Sequence, residues 1–228
     1  MSNKKRNPRQ NLYQYFEDVL CISVEDLSVN LMNAKEVLSS YIAEDEKNIK
    51  KLKLKSKNNK IKDQELSFLE EDLKSAKYDS EQINKFVDFL NSEEERYEEV
   101  FESKKVDKFL QKNGLDDPED YFEKIEFIPA YLDKYCGLKV KDFIRVLDFL
   151  LNDIKIIIEE ILNVDLPEKI NTDLSNIIIH KIRRNKINLE EEESDLLFYL
   201  VDCYAEVEFL KNVLIEEITI LESPYQKK

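Results

Sequence analysis

From Leu66 onward an apolar side chain returns about every three or four positions: Leu66, Leu69, Leu73, Ala76, Ser80, Ile83, Val87, Leu90, Glu94, Tyr97 and Phe101, nine of the eleven apolar. Such spacing puts a row along one face of an α-helix; a strand would scatter it over both faces. Unbroken from Gln64 to Gln111, that helix would be about 70 Å long. A rod of this kind needs a neighbour over its seam, because an isolated helix gains little from propensity alone. The upstream segment supplies one. Leu31, Ala34, Leu38, Tyr41 or Ile42, Ile49 and Leu52 repeat at similar spacing. Between the two rows lies Ser56-Lys57-Asn58-Asn59-Lys60, polar and turn-prone. The pattern predicts an antiparallel, coiled-coil-like helical hairpin with its tip near residues 56–62.

Composition extends this to the whole chain. Two glycines and five prolines in 228 residues are too few for the turns of a sheet protein. The expected class is all-α, with long helices and few connections. The 42% apolar content is too high for general disorder.

In order, residues 1–9 read as a disordered basic tail, followed by a short helix over 10–22. Ser23 is a candidate cap for the first hairpin arm, with Asp26 three residues on. The second arm runs to about Lys112, with Asp79-Ser80 as a weak point. Gly114 suits a left-handed stop. Asp116-Asp117-Pro118-Glu119-Asp120 reads as a helix start, carrying Tyr121, Phe122, Ile125 and Ile128 up to Pro129, which kinks or ends that helix. The segment 139–164 is the most apolar helix and belongs at the centre of a bundle. Residues 174–184 fit a helix or a strand, and helix is preferred because no second strand is in sight. A last helix covers 189–222. The division expected is an N-terminal helical region at 10–113, a C-terminal helical bundle at 114–223 and a tail at 224–228.

The net charge of −14 is uneven. Lys47, Lys50, Lys51, Lys53, Lys55, Lys57, Lys60 and Lys62 form a stretch without one acid. Lys181, Arg183, Arg184 and Lys186 form a second cluster, and Lys4, Lys5, Arg6 and Arg9 a third. The first two are the candidate contacts for a partner surface or for phosphate. Against them stand lysine in place of arginine at the tip, and no interleaved aromatic on which a base would stack. The acidic remainder disfavours wrapping by nucleic acid.

Catalytic chemistry has little to stand on. His180 is the one histidine, no cysteine pair has ligand spacing, and no glycine-rich phosphate loop occurs. Glu95 with Glu98, and Glu192 with Asp195, place carboxylates one turn apart as a Mg²⁺ site would need, but such matches arise by chance among 49 acids. Residues 190–193 read as the acidic first turn of the last helix. No cofactor is expected. Cys21, Cys136 and Cys203, odd in number and far apart, suit reduced thiols in the cytoplasm. No apolar run follows the basic amino terminus, so no signal peptide is expected, and charges interrupt 143–164, so no membrane span is expected either.

The reading expects a non-enzymatic protein that binds another macromolecule, as an adaptor, assembly subunit or inhibitor of a larger complex. A protein partner comes first. Nucleic acid held by the basic clusters is the alternative, and a helical Mg²⁺-dependent hydrolase the third. Monomer and homodimer both remain open.

Overall fold

The computed structural model describes residues 6–55, 60–168, 170 and 174–222. Among them every regular element is helical and none is a strand. The elements are α1 (Leu12–Gln14), which continues as a π-helical turn (Tyr15–Leu20), then α2 (Val24–Lys55), α3 (Lys60–Phe101), α4 (Lys104–Asn113), a 3₁₀ turn (Pro118–Tyr121), α5 (Ile128–Tyr135), α6 (Val140–Leu162), α7 (Leu174–Asn185) and α8 (Glu191–Glu222). They form two compact units, residues 1–146 and 147–228. The boundary falls inside α6, and Gly114 lies within the first unit.

The first unit is built on the antiparallel hairpin of α2 and α3. Ser23 caps α2 as expected, its Oγ accepting from Asp26 N–H at 3.1 Å. Lys53 pairs with Glu70 at 2.7 Å and Lys77 with Glu46 at 2.6 Å. Moving seven residues back along α2 therefore moves seven forward along α3, which fixes both direction and register. Near its base the hairpin buries Leu27, Leu31, Ala34 and Leu38 on α2 and Ile83, Val87 and Leu90 on α3. These α3 residues are those of the sequence row. Farther out, Leu66, Leu69, Leu73 and Ala76 are only half-buried, because two helices alone leave each seam open at its sides.

α3 also buries a second face, through Gln82, Phe86, Phe89 and Glu93. The Phe86 ring lies 4.3 Å from that of Phe143 at the start of α6 and 6.4 Å from Phe16, and Phe89 meets Tyr131 of α5 edge-on at 6.2 Å. The middle of α3 is thus covered on two sides, by α2 and by the layer of the N-terminal segment, α5 and α6.

Four local expectations are corrected. Arg6 and Arg9 belong to no disordered tail: both are held by packed partners described below. α3 runs unbroken through Asp79-Ser80 and stops at Phe101, where extended Ser103 starts α4 afresh. The Asp117 cap and Pro118 start do form, with Asp117 accepting from Glu119 N–H, but they launch only the four-residue 3₁₀ turn. Pro129 begins α5 and ends nothing, since its missing N–H costs least in a first turn.

Gly114 closes α4 at φ 65°, its N–H donating to Leu110 O. The chain then folds back so that Tyr121 buries with Val106 and Leu110. Tyr97 stacks on Phe122 at 5.1 Å and meets Tyr13 at 5.4 Å. The seam beyond the first arm is thereby covered.

The second unit consists of the later turns of α6 with α7 and α8. Leu147, Leu150, Leu151, Ile154, Ile158 and Leu162 are buried on α6. α7 buries Leu174 and Ile178, which settles the ambiguous 174–184 stretch as helix. α8 buries Leu197, Leu200, Val201, Tyr204, Val207, Leu210 and Leu214. Lys211 on α8 pairs with Asp148 on α6 at 2.5 Å. The acidic start of α8 forms as expected, with Glu193 accepting from Glu190 N–H at 3.0 Å. Among the described residues, no helix is long and apolar enough to cross a membrane.

Candidate functional site

The basic residues singled out in the sequence fall in both units. Lys47, Lys50, Lys51 and Lys53 stand exposed on the last turns of α2. Lys55, Lys60 and Lys62 lie on α2 and α3, with side chains outside the described residues, and Lys57 lies outside them entirely. The apolar spacing of this segment forces the lysines outward: Ile49 and Leu52 take the inward positions, leaving the rest to water.

Pairing of the arms adds what the sequence of one arm does not show. The facing turns of α3 carry Glu65, Glu70, Glu71 and Asp72, all exposed. Lys53 is engaged by Glu70, and on the same arm Glu46 is engaged by Lys77, whose hydrogen bond lowers the Glu46 carboxyl below its usual range. The outer arm is therefore a mixed-charge surface in which lysines on one helix are partly countered by acids on the other. A phosphate backbone would meet repulsion from these acids as well as attraction from the lysines.

The second basic cluster ends α7. Arg183 and Arg184 are exposed in its last turn, where positive charge suits the carbonyl end of a helix. Lys181 donates to Asp165 O at 2.7 Å and so ties the α6–α7 connection. Lys186 takes a left-handed conformation after the helix, at φ 53°. These are structural duties for at least part of the cluster. His180 is exposed on the same helix.

The carboxylate pairs lie in separate units, Glu95 and Glu98 on α3, Glu192 and Asp195 on α8, all exposed. Among the described residues no three His, Cys, Asp or Glu side chains gather as metal ligands. The Cys136 thiol is pushed up to about 11, first by burial, so it is protonated at neutral pH.

A buried polar centre was not legible in the sequence. Glu93 has no exposure, yet it accepts from Arg6 at 2.5 Å, Arg96 at 2.8 Å, the Tyr131 hydroxyl at 2.8 Å and Leu12 N–H at 2.8 Å. Its backbone carbonyl accepts from Asn11 Nδ2 at 2.7 Å. Arg96 reaches on to Asn7 O and Gln10 O. Arg9 donates to Tyr121 O at 2.8 Å, pairs with Glu123 at 2.6 Å and lies 4.7 Å over the Phe109 ring. Tyr131 is raised above the ordinary tyrosine value, chiefly by burial and then by the Glu93 charge, so its proton stays on. A carboxylate with four donors and no exposure acts as a clasp. It fastens residues 6–12 to α3 and α5.

One more surface lies outside the sequence reading. α8 carries large apolar residues on both faces, and the face opposite the buried one leaves Phe198 64%, Phe209 47% and Ile220 39% exposed. Periodicity hinted at this face only as a surplus of apolar residues beyond what one seam needs. In comparisons with protein families, curated proteins and solved structures, nothing matches this chain.

Proposed function

We propose that the protein acts by binding another macromolecule, without chemistry of its own, as an adaptor, an assembly subunit or an inhibitor of a larger complex. The observation that carries this reading is the outer half of the hairpin. Over residues 41–55 and 64–76, Ile49 is the one described side chain that is buried. Two helices with so thin a shared core add little to the stability of the unit. What they provide is reach, about 20 Å of α2 from Tyr41 to Lys55, with exposed Lys47, Lys50 and Lys51 displayed along it. The partner favoured is a protein, because the interleaved acids oppose a phosphate backbone while suiting a mixed-charge protein surface. None of the three cysteines forms a disulfide, which fits a reducing compartment such as the cytoplasm.

The test is capture of the tagged full chain from its native host, with and without nuclease, beside the K47E/K50E/K51E variant. The expected result is a stoichiometric protein partner that resists nuclease and is lost from the variant. A partner kept by the variant removes the arm from the binding site. Material lost with nuclease transfers the reading to nucleic acid.

A further inference from the structure

We infer that α8 is a second docking surface, built for a basic amphipathic helix of a partner protein. This goes beyond the reading above and rests on a different unit of the chain.

α8 spends its apolar residues twice. One face, from Leu197 to Leu214, is buried within the second unit. The opposite face carries Phe198, Asp202, Ala205, Phe209, Asn212, Glu216 and Ile220 in one row, at helical spacing. Phe198, Phe209 and Ile220 keep 64%, 47% and 39% of their surface exposed, and Asp202, Ala205 and Glu216 are exposed as well. The row extends for about 33 Å, the length of roughly three heptads. Two phenylalanines facing water along one row differ from the scattered apolar residues of an ordinary surface.

Charge decides which occupant fits. α8 carries ten acids against one base, and that base, Lys211, is committed to Asp148. Asp202 and Glu216 sit within the apolar row itself. A second copy of this face would set Asp202 and Glu216 against the same acids with no base to answer them, which is destabilising. An anionic membrane surface and a nucleic acid are repelled for the same reason. A helix with an apolar stripe for Phe198 and Phe209, flanked by lysine or arginine for Asp202 and Glu216, answers both features at once.

The test uses the full chain and a labelled synthetic peptide of about three heptads, with leucine at the a and d positions and lysine at e and g. A control peptide has glutamate in place of lysine. Fluorescence anisotropy is expected to show binding of the lysine peptide, none of the glutamate peptide, and weakening as salt is raised. F198S/F209S is expected to weaken binding at least about tenfold. Both rings are exposed, so its helical circular dichroism should match that of the wild type. D202N/E216Q, which leaves the rings in place, is expected to weaken binding at low salt and to lose most of the salt dependence. Four outcomes overturn the inference: no binding of the lysine peptide, equal binding of the glutamate peptide, binding undiminished in F198S/F209S, or concentration-dependent self-association that F198S/F209S abolishes. K47E/K50E/K51E is expected to leave peptide binding unchanged, which separates this surface from the hairpin arm.

Discussion

A carboxylate with no exposure is costly unless donors surround it, and Glu93 has four. Glu93→Ala strands two arginines and an N–H, and is expected to cost about 3–5 kcal/mol of unfolding free energy in a urea titration. Tyr131→Phe removes the hydroxyl that donates to Glu93 and Gln10 O and accepts from Arg96, and is expected to cost about 1–2 kcal/mol. A cost below about 0.5 kcal/mol for Glu93→Ala would mark the clasp as a surface pair in energetic effect. Tyr97 reports on the same region through pH. Burial, with the Asp18 charge next, pushes its phenol up to about 12. An unfolded tyrosine ionises near pH 10. Stability present below pH 10 is therefore lost as pH rises through the window to about 12, since only the unfolded chain gives up the proton early. Urea titrations at pH 9 and pH 11.5 should show a smaller loss for Tyr97→Phe than for the wild type.

At the scale of elements, the hairpin is uneven along its length. Its base is buried on two faces of α3, while over residues 41–55 and 64–76 Ile49 alone among the described side chains is buried. Hydrogen exchange is expected to be fast over residues 41–54 and 64–76 by local opening, and slow over 27–38 and 82–93. Equal protection along both arms would count against this picture. The surface pairs Lys53–Glu70 and Lys77–Glu46 each contribute less than about 1 kcal/mol, so Lys53→Ala should alter local exchange more than global stability. The elements show where sequence suffices. The row from Leu66 to Phe101 was legible because apolar periodicity is a property of one segment. The caps at Ser23 and Gly114 were legible because each depends on neighbours within a few residues. Glu93 was not: it sits in a run of three acids, and only the packing of Arg6, Arg96 and Tyr131 around it distinguishes it from Glu94 and Glu95. Pro129 was ambiguous because proline fits either side of a helix boundary. Arg9 looks like part of a tail until Tyr121 and Glu123 arrive from more than a hundred residues away. The acids opposing the lysine stretch were visible as residues, but their register against Lys53 is set by the fold.

For the molecule as a whole, the acidic balance is the dominant property. A net charge of −14 is self-repelling in the compact state. The melting temperature is therefore expected to rise as salt goes from about 20 to 200 mM, and a flat or falling response would mean that specific ion pairs outweigh the net repulsion. The opposing characters of the α2 lysine turns and the α8 face also make the two proposed surfaces separable, one by reversing lysines and the other by removing phenylalanines. The clasp has a consequence for how the chain comes off the ribosome. Gln10 accepts from a tyrosine 121 positions later, and Arg9 from the same early segment pairs with residue 123. At about 5–20 residues per second, residues 6–12 wait on the order of ten seconds for their partners to be synthesised. In that interval α2 and α3, adjacent in the chain, have time to find each other. The nascent protein can thus pair its hairpin arms, and set Arg6 and Leu12 on Glu93, before Tyr121, Glu123 and Tyr131 arrive to complete the clasp.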